Sequence, residues 1–321
     1  MSVKKDMMFA VKISLFSNIF LCAIKAFALI IVNSLAIAAD LGVSCIALAV
    51  SVILYYSIKM ADKPADFFHN YGYNKVENVC EMIEGAVLIG LALAMSFQAI
   101  MGIIRVDEIK SPSTGLICSF LGIIINFWGA FFILKLAKKS SSPALIAEGV
   151  HFRLEGYISL SITLSFALYI VVIRAGFFKA ADYIDPIATL LVSIIIFFPS
   201  ARLLKEAFMK LLDASIGESS QIEVIKVLAR YIDSYCNFKH IKTRTAGRKQ
   251  FVDLHLIMPE HISLKDANRI ISEIKNDILS NISESDVTVG MEPCKRDCFF
   301  TKTNKPCPYI SQIQCIDVKK T

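Results

Sequence analysis

The chain has 321 residues, 55% of them hydrophobic and 19% charged, with 34 Lys and Arg against 28 Asp and Glu for a net charge of +6. That balance is too apolar for an ordinary soluble protein and indicates a membrane class. The basic residues of the apolar part sit mainly at segment ends rather than in a stripe with interleaved aromatics, which excludes a nucleic-acid-binding reading.

The first apolar segment, 9–32, is a full span with no small-residue cleavage point, so it reads as a transmembrane helix and not as a signal peptide. Further segments follow at 35–59, 77–104, 113–137, 143–174 and 184–208. Each can cross a hydrocarbon core of about 30 Å as a helix rising about 1.5 Å per residue. Lys4, Lys5, Lys59, Lys63, Lys75, Lys135, Lys138, Lys139, Arg202, Lys205 and Lys210 fall on one side of these spans. The other side has only Arg105, Lys110, Arg174 and Lys179. The positive-inside bias therefore puts both termini in the cytoplasm, with the chain expected in the cell membrane.

Charge increases beyond residue 213. SSQIEVIKVLARYID at 219–233 has helical spacing, and HIKTRTA and KQFVDLHLIM alternate as strands around Gly247 and Arg248. Ser263 N-caps a further helix, and SDVTVGM is a third strand. This predicts a small α+β domain with its sheet covered on one face. The expected division is a six-helix transmembrane domain over 1–212, an α+β domain over 213–293 and a cysteine-rich tail over 294–321. No nucleophile and base pair, phosphate loop or cofactor motif is present, so neither an enzyme nor a catalytic cofactor is expected.

Ionisable groups inside membrane spans are functional by default. The fifth span carries Glu148, His151, Arg153 and Glu155, and the second carries Asp40. His151 and Glu155 share a helix face at i, i+4 and read as a metal-ligating or proton-coupling pair. Glu148 reads either as a ligand on the ion's way in or as an interfacial carboxylate. Asp40 and Ser44 also lie four apart; Asp40 reads as a ligand or a helix cap, Ser44 as a ligand or a packing residue. Glu77, Glu81 and Glu84 run along one face of the third span, lining a cytoplasmic access route or marking its polar end.

Eight of the nine cysteines fall into two groups, with Cys236 alone between them. Cys22, Cys45, Cys80 and Cys118 lie in apolar spans and are expected as small core residues. Cys294, Cys298 and Cys307, with Cys315 beyond, crowd the tail. In a cytoplasmic tail they form a thiolate site for zinc or an iron–sulfur cluster, or are redox-active or incidental.

The order of parts resembles the cation diffusion facilitator family, which has six transmembrane helices and a cytoplasmic ferredoxin-like domain. The resemblance covers residues 8–293 and rests on NSLAIAAD, KPADFFHNYGYNKVEN, the His151 helix, LLDAS, HIKTRTAG, FVDLHL and MEP taken in order. It implies a homodimer in the lipid bilayer that exports a divalent metal in exchange for protons. Zinc or iron is expected as substrate and as a regulatory ligand. The family's transport site pairs two residues on the second helix with two on the fifth, and His151 and Glu155 match the latter. On the second helix the matching positions are Val43 and Ala47, which cannot bind metal, so Asp40 and Ser44 stand as a displaced pair. Asp66 and His69 match a second family site whose further histidine is Tyr73 here. His240 and His255 match family metal positions in the soluble domain, where Asn268 and Gly290 replace two others. The incomplete second helix also admits a competing reading, a non-transporting regulatory or metal-sensing paralogue.

Overall fold

The computed structural model describes residues 2–32, 35–105, 112–260 and 262–295. The chain divides into two compact units, Met1–Leu211 and Leu212–Thr321. Among the described residues of the first, six helices are long and apolar enough to cross a membrane. They are α1 (Ser2–Val32), α2 (Leu35–Ala61), α3 (Val76–Arg105), α4 (Pro112–Ser140), α5 (Pro143–Arg174) and α7 (Ile184–Leu211), with a short α6 (Phe178–Ala181) before the last.

Several helices outrun their apolar segments. α1 starts at Ser2 because SVKKDMMF contains neither Gly nor Pro to stop it. Its polar first turns are used: Asp6 meets Lys139 at the end of α4 at 2.6 Å. α5 begins where expected, with Ser142 as N-cap accepting from the Leu145 N–H and Pro143 in the first turn. α7 runs through Pro199, and the next residue, Ser200, donates its hydroxyl to the Ile196 carbonyl.

Phe16, Phe97, Phe131, Leu164, Leu191 and Phe198 face outward, while Ser14, Asn18, Ser51, Glu84, Glu148 and His151 are buried. Apolar outside and polar inside is what a hydrocarbon solvent selects. The same geometry corrects the expectation for the membrane cysteines. Cys80 is buried, but Cys22 is only half-buried and Cys45 is exposed, because each span turns one side away from the core. The side chain of Cys118 lies outside the described residues.

Two helix pairs pack very closely. A Cβ on Gly85 of α3 would stand 2.9 Å from the Leu204 backbone nitrogen of α7. Between α4 and α5, a Cβ on Gly129 would stand 2.7 Å from Phe152, and one on Gly149 would stand 2.6 Å from Leu134. Small residues at such contacts let helix backbones approach in a membrane.

The second unit has α8 (Glu218–Arg230), β1 (Asn237–Ala246), β2 (Lys249–Met258), α9 (Leu264–Asn281) and β3 (Ser285–Pro293). α8 ends before residue 233, and Ile232–Ser234 forms a 3-10 turn instead. The sheet order is β1-β2-β3, antiparallel then parallel, so α9 supplies the crossover that a parallel pair requires. Gly247, at φ 58°, takes the first position of the β1–β2 turn. Val252, Leu254 and Leu256 of β2 pack on Val224, Val227 and Leu228 of α8 and on Ile274 and Ile278 of α9. Asp253 and His255, at the alternate positions, are exposed.

Candidate metal centre

Glu148, His151 and Glu155 recur along one stripe of α5, at i, i+3 and i+7. His151 is buried and uses both ring nitrogens. Nδ1 is hydrogen-bonded to Glu84 Oε1 of α3 at 2.5 Å, and Nε2 to Glu155 Oε1 at 3.2 Å. Glu148, one turn nearer the start of α5, points toward α1 and α2. Its Oε1 accepts from the Ser14 hydroxyl and, at 2.7 Å, from the Ser51 hydroxyl. Asn18 donates to the Ser51 oxygen at 2.7 Å, so the two outer helices hold one side of this carboxylate in place.

One ligand atom each from Glu84, Glu148 and His151 lie within 4.8 Å of one another. Glu84 Oε2 and Glu148 Oε2 are buried without a hydrogen-bond partner. A buried carboxylate oxygen left unpaired is costly, and a cation removes that cost by accepting its lone pair. Two carboxylates and an imidazole are a hard-to-borderline donor set that suits divalent transition metals.

The position of Glu84 is the main departure from the sequence reading, in which it lines an access route or marks the polar end of its span. Its signal was the row Glu77, Glu81 and Glu84, but nothing in the sequence pairs that row with α5. Ser14, Asn18 and Ser51 also went unread, because isolated small polar residues in a span carry little signal. Ser44 is buried on α2, and among the described residues no hydrogen bond joins it to Glu84, Glu148 or His151. The side chain of Asp40 and all of Cys298 and Cys307 lie outside the described residues. Arg153 is exposed and off the stripe.

The other predicted ligands lie elsewhere. Asp66 and His69 come together in the α2–α3 loop with His69 Nδ1 3.4 Å from Asp66 Oδ1. The Asp66 carboxylate is already engaged, accepting from the Phe68 and His69 N–H groups and, at 2.5 Å, from the Tyr73 hydroxyl. The Tyr73 hydrogen bond first, then the His69 amide, hold the Asp66 carboxyl below the usual range, and the same Asp66 bond raises the Tyr73 phenol. His240 and His255 are register partners across β1 and β2, and both are exposed. His255 aligns with Gly290 on β3, where a Cβ would stand 2.7 Å from the imidazole ring. Cys294 follows β3, and its N–H donates to the Met258 carbonyl.

Residues 11–212 match the cation efflux transmembrane domain, and residues 218–294 match the cytoplasmic domain of cation efflux proteins. The chain belongs to the cation efflux family. A cation efflux protein of this kind is an integral membrane transporter of metal cations and not an enzyme. Among its relatives is an uncharacterised transporter of Synechocystis, 24% identical over 270 residues, or 84% of this chain and 85% of that one. Protein p34 of Rickettsia rickettsii is 25% identical over 285 residues, 88% of this chain and 90% of that one. The cation-efflux pump FieF of Cronobacter sakazakii is 24% identical over 274 residues, 85% and 88% of the two chains.

Proposed function

We propose that this cation efflux protein exports a divalent transition metal, zinc or ferrous iron, from the cytoplasm in exchange for protons. Glu84, Glu148 and His151 hold the ion, and Glu155 receives it from the far side of the imidazole. The observation that carries this reading is the meeting of three buried ligand atoms with two unpartnered carboxylate oxygens beside them. Metal and proton compete directly here. The hydrogen between Glu84 Oε1 and His151 Nδ1 has to leave before both atoms can ligate, so each ion bound displaces at least one proton. His151 faces Glu84 with one nitrogen and Glu155 with the other, which suits a hand-over between two sides in an alternating-access cycle.

The protein works as a homodimer in the cell membrane with both termini cytoplasmic. The transport domain takes residues 1–212, the soluble domain 213–293 and the tail 294–321. His240, His255 and Cys294, with Cys298 and Cys307, bind regulatory metal, and Asp66 with His69 forms a peripheral site. Asp40 is the second helix's candidate ligand, and Ser44, four residues on, packs between helices. The family resemblance and the basic residues flanking the spans support these assignments.

The test is uptake into vesicles containing the reconstituted protein, with zinc, ferrous iron, manganese and cobalt supplied in turn against a proton gradient. Transport that needs the gradient, is abolished by His151→Ala and falls by about tenfold or more in Glu84→Gln supports the reading. If no ion is moved, the regulatory paralogue becomes the better account, consistent with Val43 and Ala47 in place of the family's second-helix ligands.

A further inference from the structure

One turn before Glu84, α3 carries another buried carboxylate, and this one holds a cation belonging to the chain itself. Glu81 is 1% exposed. Its Oε1 lies 2.7 Å from the Lys210 ammonium of α7, and its Oε2 accepts from Asn78 Nδ2 at 3.3 Å. The two partners differ in access: the Lys210 side chain is 29% exposed and that of Glu81 only 2%. The lysine therefore reaches inward from the accessible end of its helix, on a stem that can also let its head return to water.

Glu81 is part of a row. Glu77, in the first turn of α3, is fully buried and accepts from the Ser142 hydroxyl at the start of α5. Glu84, with its unpartnered Oε2, ends the row in the metal centre. Successive members rise about 6 Å and about 4.5 Å along the helix. A strut between α3 and α7 needs one such pair. It does not need the pair to stand between the loop end of α3 and the ligands, with an unpartnered carboxylate oxygen next along.

Resting on the function proposed above, we propose that Glu81 is an upstream station for the divalent cation on its way to Glu84, and that Lys210 occupies this station whenever the ion does not. The ammonium cancels the buried charge of the empty station and is displaced outward as a doubly charged ion enters. It thereby sets a threshold that a monovalent ion, offering no more charge than the lysine, does not overcome.

The experiment uses the full-length chain in detergent and counts bound zinc at equilibrium. Lys210→Gln should bind about one more ion per chain than the wild type, because a freed buried carboxylate seeks a cation. Lys210→Arg should match the wild type, and Glu81→Gln combined with Lys210→Gln should lose the gain. Metal bound by the soluble unit is common to all variants and cancels. In the wild-type chain, saturating zinc should also raise the rate at which an amine-labelling reagent modifies Lys210, read by mass spectrometry. This second measurement needs no substitution and so does not depend on a variant folding. Equal ion counts for Lys210→Gln and wild type, or labelling of Lys210 that zinc leaves unchanged, would overturn the station while leaving the metal centre intact. Equal counts for wild type and Glu84→Gln would overturn the centre, and the station with it.

Discussion

Glu84 and His151 belong to different transmembrane helices and meet at 2.5 Å, both buried, where α3 faces α5. That bond joins the carboxylate row of α3 to the Glu148, His151 and Glu155 stripe of α5. Glu84→Gln keeps a hydrogen-bonding oxygen but loses the charge. It is expected to lower metal transport by about tenfold or more, as loss of a metal-site partner does elsewhere. Ser44→Ala is expected to stay within about twofold of the wild type, since Ser44 makes no bond to the cluster. Initial uptake rates in vesicles compare the two.

The hydroxyl of Ser51 links α2 to Glu148 and receives Asn18 from α1. Ser51→Ala removes a donor from a buried carboxylate and leaves the Asn18 amide without that acceptor. The expected loss is roughly 1–3 kcal/mol of stability, read as a lower thermal midpoint in detergent, and Ser51→Thr should recover part of it.

In the α2–α3 loop, the Tyr73 hydroxyl and the Asp66 carboxylate hold each other in the un-ionised and ionised forms, respectively. Asp66 is shifted down, so its contribution to loop order is present above the ordinary carboxyl range of about 4 and is lost as pH falls through the lowered value. Tyr73 is shifted up, so its contribution is present below about 10 and is lost as pH rises through the raised value. Tyr73→Phe should return Asp66 toward the ordinary range, which an NMR titration of the carboxyl carbon would detect. An unchanged Asp66 titration would refute the coupling.

Gly85 and Gly90 give a matched pair of tests on α3. A Cβ at Gly85 meets Leu204 backbone at 2.9 Å, which cannot swing aside, whereas at Gly90 nothing lies within 4 Å. Gly85→Ala should destabilise by about 1–3 kcal/mol through overpacking. Gly90→Ala should be neutral or stabilising by up to about 1 kcal/mol, through helix propensity. Thermal midpoints of the two variants decide it.

The spans were legible because length and apolarity suffice to define a membrane helix, and the β1–β2 hairpin because Gly247 interrupts two alternating runs. The Ser263 cap was legible for a similar local reason: its side chain accepts from the Asp266 N–H within the same turn. His151 and Glu155 could be paired because they share one helix, and their side chains are hydrogen-bonded. Glu84 could not be placed with them, since 67 residues separate it from His151 and only helix packing brings them together. Burial failed for a different reason. Cys45 and Phe16 sit in spans as apolar as that of Cys80, yet a span does not declare which of its sides meets lipid.

The glycine contacts make two stiff planks, α3 locked to α7 through Gly85 and α4 locked to α5 through Gly129 and Gly149. Glu84 is fixed to one plank, and Glu148 and His151 to the other. The ligands thus straddle a joint rather than sitting inside either plank. Any slide of one plank along the other carries Glu84 away from His151, with little slack in the packing to absorb it. On the function proposed above, the three-ligand set is complete at one setting of the joint and broken at others, and an ion seated in it would act as a pin.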